Sequence, residues 1–111
     1  MSNEKTGDCY KASCFRLISF LTHNPHGMIL VHGWPTLTRP PFEKYSHAWL
    51  EYTFNGIRIC WDLSMGRDIK VAQADYYSIG KINPLKCIRY TEDEARALVL
   101  EHEHWGPWEK L

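Results

Sequence analysis

Cys9, His47 and Asp62 are the residue types that a nucleophile, a proton carrier and an orienting group require, and they occur in that order along the chain. In such chemistry a thiolate attacks a carbonyl carbon and forms a thioester. The imidazole first takes the thiol proton and then returns it to the leaving group, while the carboxylate fixes the ring tautomer and stabilises the imidazolium. The bonds attacked are amide, peptide or isopeptide bonds. No cofactor is required, but donors for the oxyanion are.

His47 and Asp62 lie in two alternating stretches, residues 46–54 and 57–62, separated by Asn55-Gly56. An Asn-Gly pair between alternating stretches predicts a β-hairpin with a type I′ turn. If Phe54 faces Ile57, then Tyr52 faces Ile59, Leu50 faces Trp61, Trp49 faces Asp62 and His47 faces Ser64. Ala48, Leu50, Tyr52, Phe54, Ile57, Ile59, Trp61 and Leu63 then share an apolar face. The other face carries His47, Trp49, Glu51, Thr53, Arg58, Cys60 and Asp62. His47 and Asp62 become diagonal neighbours with backbones roughly 7 to 8 Å apart, a gap their side chains can close.

The nucleophile belongs to a helix. Asp8 can cap a helix that begins at Cys9, with Tyr10, Cys14, Leu17, Ile18 and Leu21 as its buried stripe and Asn24-Pro25-His26-Gly27 as its end. Cys9 would then stand where free N–H groups and the helix dipole favour a thiolate, and its own amide could hold an oxyanion. Residues 28–32 read as a buried strand, and residues 33–41, with three prolines, as an irregular loop that is either a substrate rim or a plain connector. Beyond the hairpin, residues 64–68 predict a turn, 69–74 a short strand or helical piece, 76–80 a strand or turn, and 86–90 a strand. Thr91 and Glu94 form a capping box for a final helix that runs to about His104, buries Ala95, Leu98 and Val99, and stops at Gly106-Pro107.

Each of these side chains also has a structural reading. Cys9 could be a small buried hydrophobe, and His47 a strand histidine bonded to Asp62 for structure alone. Cys14 is the rival nucleophile, but it falls on the apolar stripe one turn inside the helix, where a core role is favoured. Cys60 and Cys87 read as packing residues in strands, and no CxxC spacing suggests a disulfide framework or zinc knuckle. His32 reads as a core histidine, His23 and His26 as solvated turn residues, and His102 and His104 as members of a charged helix end. Glu51 shares the face of His47 and could substitute as orienter, although from the same strand it points alongside the imidazole.

Three short motifs carry a resemblance. Gly7-Asp8-Cys9-Tyr10-Lys11-Ala12-Ser13 resembles the start of the catalytic helix in papain-like cysteine peptidases. His47-Ala48-Trp49-Leu50-Glu51 and Trp61-Asp62-Leu63-Ser64 resemble two strands of transglutaminase-like proteins, a branch of the same superfamily that uses Cys, His and Asp in this chain order. In size and layout the chain is similar to small phage and bacterial proteins of this type. Papain-like enzymes usually place a glutamine shortly before the nucleophile; here Asn3 lies in that region, and the chain is too short to hold a full peptidase's second half.

At 111 residues, with zero formal net charge and 44% hydrophobic residues, the chain predicts one soluble domain and gives no electrostatic reason to bind nucleic acid. The polar first eight residues and the short apolar runs predict no leader and no membrane span, hence a cytoplasmic setting with reduced thiols. The expected fold is α+β: a central, mainly antiparallel sheet with the Cys9 helix and the C-terminal helix packed on it, the latter on one face and the Cys9 helix meeting the other near its edge. The expected function is cysteine hydrolysis or acyl transfer on a peptide or protein substrate through Cys9, His47 and Asp62. The alternatives are a catalytically silent binding module, such as a phage protein that blocks a host factor through its residue 34–42 loop, and a metal site using Cys9 with histidines.

Overall fold

The computed structural model describes residues 4–19 and 27–108. The chain is an α+β fold in which α1 (Glu4–Ile18) precedes β1 (Ile29–Gly33), β2 (His47–Phe54), β3 (Ile57–Asp62) and β4 (Ile69–Ala72), followed by α2 (Gln73–Gly80), β5 (Ile88–Tyr90) and α3 (Glu92–His102). The strands form one antiparallel sheet in the order β4-β3-β2-β1-β5.

The hairpin has the predicted register, with Phe54 opposite Ile57, Tyr52 opposite Ile59 and Leu50 opposite Trp61. Asn55 and Gly56 both take positive φ, 52° and 79°, as a type I′ turn requires. On the other side of β2, β1 pairs Leu30 with Leu50, Val31 with Trp49 and Gly33 with His47. Gly33 must be bare. A Cβ there would come within 2.7 Å of the Trp49 ring and 2.9 Å of Cys87 Sγ.

Both faces of the sheet are covered, and the helices are distributed differently from the sequence expectation. Cys9, Tyr10, Cys14 and Leu17 of α1 pack with Leu30, Ala48, Leu50 and Tyr90 of the sheet and Ala95 of α3 in one buried cluster. Helices α1 and α3 therefore share a face. The opposite face, which carries His47 and Asp62, is closed by α2, whose Tyr76 and Tyr77 pack on buried Val31, Trp49 and Cys60. What the alternation marked as a polar face is thus a second core. Residues 76–80, expected as strand or turn, belong to α2, and residues 69–74 divide into β4 and the start of that helix.

Two helix starts contrast. Thr91 caps α3 through the predicted box: its hydroxyl accepts from the Glu94 amide at 3.2 Å and the Glu94 carboxylate accepts from the Thr91 amide at 2.9 Å. Helix α1 instead begins at Glu4, not after Asp8, so Asp8 is inside it and Cys9 is its sixth residue. Glu and Lys at positions 4 and 5 are good helix formers and extend the helix beyond the Asp8 cap position. The expected end of this helix, with Leu21 and Asn24 to His26, lies outside the described residues, as does Asn3. Among the described residues no helix is long and apolar enough to cross a membrane.

Candidate active site

Asp62 ends β3 and His47 begins β2, so the two share one end of the sheet. His47 Nε2 lies 3.0 Å from Asp62 Oδ2, with both residues buried. The other carboxylate oxygen, Oδ1, accepts from the Ser64 amide at 3.0 Å and the Ser64 hydroxyl at 2.8 Å. The Tyr76 hydroxyl, from α2, donates to Oδ2 at 2.9 Å. Four donors therefore surround a buried carboxylate, which satisfies the condition for keeping its charge away from water.

Cys9 comes to this pair from the opposite face of the sheet, around the start of β2. It lies close enough to His47 to act on the imidazole, raising its pKa. Since Nε2 is engaged by Asp62, Nδ1 is the ring nitrogen left for the thiol. The approach is fixed by the sequence neighbours of the two residues: the Tyr10 hydroxyl bonds the Ser46 hydroxyl, and one turn on, Ser13 Oγ donates to the Ala48 carbonyl at 3.3 Å. These bonds tie the helical residues just after Cys9 to the two neighbours of His47. The Tyr45 ring lies 5.4 Å from that of His47. Tyr45 is 37% exposed, whereas Cys9 and His47 are only 3% and 4% exposed.

Burial alone would lower the pKa of His47, but hydrogen bonds to Asp62 and Cys9 and the charges there outweigh it and bring the imidazole up to about 9. Burial likewise opposes the charge of Asp62, yet the bond to His47, the imidazolium charge and the two bonds from Ser64 hold its carboxyl well below the usual carboxylate range. Burial and the neighbouring Asp62 charge push Tyr76 far up, so it remains a neutral donor. At neutral pH the site is an imidazolium–carboxylate pair with a sulfur on the other ring nitrogen.

Of the rival residues, Cys14 is fully buried, and burial pushes its thiol up to about 12. Burial also raises the thiols of Cys60 and Cys87. His32 is a core residue ringed by Tyr10, Tyr90 and Trp108. His23 and His26 lie outside the described residues, while His102 and His104 are exposed on the C-terminal side of α3. Among the described residues no group of three or more metal-binding side chains converges. The amide of Cys9, expected at a helix start, is inside α1, where the helical pattern commits it to the carbonyl four residues earlier, so it is not an oxyanion donor.

Glu51 does not orient His47. It is fully buried beneath α2 and accepts from Trp49 Nε1 at 2.9 Å, Gln73 Nε2 at 3.0 Å and the Tyr77 hydroxyl at 2.5 Å. Tyr76 and Tyr77 thus each reach one of two carboxylates on the same sheet face. Sequence reasoning missed both; the available signal was a Trp and a Glu at alternate strand positions on the face of the candidate site, which calls for buried hydroxyl donors.

Comparison with known protein families, curated proteins and solved structures gives no match.

Proposed function

We infer that the chain is a cysteine-dependent hydrolase or acyltransferase acting on an amide, peptide or isopeptide bond. The observation that carries this reading is a single buried imidazole, His47, bonded through Nε2 to the Asp62 carboxylate, with Cys9 near enough to shift its pKa. The proton of the pair already resides on His47 as Sγ attacks the carbonyl carbon. Collapse of the tetrahedral intermediate breaks the C–N bond as His47 gives its proton to the departing amine. A water or a second amine, deprotonated by His47, then attacks the thioester and returns the thiol. Asp62 stabilises the imidazolium throughout and, held by Ser64 and Tyr76, cannot rotate away. The motif resemblance to papain-like and transglutaminase-like proteins supports the same reading, as do four free thiols, which suit a reducing compartment such as the cytoplasm.

A binding-module reading draws support from the near-complete burial of Cys9 and from Phe42, 59% exposed in the loop before β2. A peptide vinyl sulfone separates the two. Acyl-transfer chemistry predicts one adduct, mapped by mass spectrometry to Cys9 and lost in His47→Ala. Labelling confined to half-buried Cys87, or absent, would contradict it.

A further inference from the structure

A second feature at the His47 end of the sheet has no part in the chemistry above. Trp34, Lys44, Asn83 and Lys86 line an open cleft of about 530 Å³, within the range of ligand-binding clefts. Its polar lining consists of donors. Lys44 Nζ is anchored by Thr36 Oγ1 at 3.1 Å and by the Lys81 carbonyl at 3.2 Å, which leaves a third N–H free. Asn83 Oδ1 is occupied by the Leu85 amide at 3.0 Å, which leaves the side-chain NH₂ as the group available to a ligand. Among the described residues, Lys86 Nζ and the indole N–H of Trp34 have no protein partner and no carboxylate lines the cleft.

Two ammonium groups, an amide NH₂ and an indole N–H form a complement to a carboxylate, and the Trp34 ring offers a face to the methylenes that carry it. The position gives the rest. Gly33 pairs with His47, and Trp34 is the next residue, so the cleft begins within about 10 Å of the His47 backbone. That span is roughly three residues of extended peptide. We propose that this cleft is a subsite for an acidic side chain, Glu or Asp, of a peptide substrate, about two to four residues from the bond that Cys9 attacks. As a substrate subsite it rests on the acyl-transfer reading; as a binding site for an acidic peptide it does not.

The test uses the full chain with Cys9→Ala, so that binding is read without turnover. Fluorescence anisotropy compares a labelled alanine–serine peptide carrying three glutamates with the same peptide carrying three glutamines. The glutamate peptide should bind about tenfold more tightly at low salt, and exposed Lys86→Glu should abolish that preference. Lys70→Glu makes the same charge change on β4, at the opposite edge of the sheet, and should leave the preference intact. Equal binding of the two peptides, or equal loss in both lysine variants, would overturn the proposal. If Cys9 takes the vinyl sulfone while the peptides bind alike, the subsite fails and the chemistry stands. A glutamate preference that depends on Lys86 in a chain whose Cys9 is unreactive supports the site and removes only the chemistry.

Discussion

The Tyr76 hydroxyl donates to Asp62 Oδ2 at 2.9 Å, the same oxygen that holds His47 Nε2 at 3.0 Å. Two donors on one oxygen share its charge, so Tyr76 limits how strongly the carboxylate pulls on the imidazole. Tyr76→Phe keeps the ring packed on Trp49 and removes only that bond. The His47 pKa should rise further, by up to about one unit, and stability should fall by about 1 kcal/mol. An NMR titration of the His47 ring reads the first effect and urea unfolding the second. A stability loss with no upward shift would make Tyr76 a packing residue only.

Tyr45 lies beside His47 and is far more exposed than His47 or Cys9. Tyr45→Ala should open the path to Cys9 and raise its alkylation by neutral iodoacetamide at least about threefold, as expected when a local covering group is removed. Site-resolved mass spectrometry gives the rate. An unchanged rate would mean that reagents reach Cys9 by another route.

His32 is a buried imidazole whose Nε2 has no partner among the described residues, and burial lowers its pKa to about 4. Because the unfolded chain takes up this proton near pH 6.5 and the folded chain near 4, stability should fall as pH drops through that window, by on the order of 3 kcal/mol. His47 has the opposite sign. Its folded pKa of about 9 makes its contribution fully present below about 6.5 and lost as pH rises through 9. Asp62, held low, adds a loss only below its unfolded value of 3.8. The window between 4 and 6.5 therefore isolates His32. Urea unfolding of His32→Leu should show a much flatter dependence on pH there, whatever its stability at pH 8. An unaltered slope would contradict the assignment.

The site was legible in the sequence where it depends on local rules. Asn55-Gly56 allows few backbone conformations, and once the turn is fixed, counting sets His47 beside Asp62. Thr91 and Glu94 likewise mark a helix start through bonds spanning three residues. The parts that were not legible depend on what lies across space. Tyr76 and Tyr77 are consecutive aromatic residues in an eight-residue helix with no apolar stripe, and the helix is selected by the carboxylates of Asp62 and Glu51 beneath it. The alternation of β2 separated His47 from Ala48 correctly, but it could not show that His47's face would also be covered. Nor could it place Cys9 on the far face, meeting His47 around the strand end through the Tyr10–Ser46 bond. The start of α1 at Glu4 moved Cys9 out of the helix cap, and with it the oxyanion role of its amide.

The central claim is that His47 activates Cys9, and the site-resolved rate of Cys9 carbamidomethylation between pH 5 and 9, in the native chain and in His47→Ala, tests it most directly. Activation predicts that Cys9 reacts at pH 6 well ahead of Cys87, and that His47→Ala lowers this rate by more than about tenfold. A Cys9 rate that rises only near the ordinary thiol pKa of about 8.5, and is the same in His47→Ala, would contradict it.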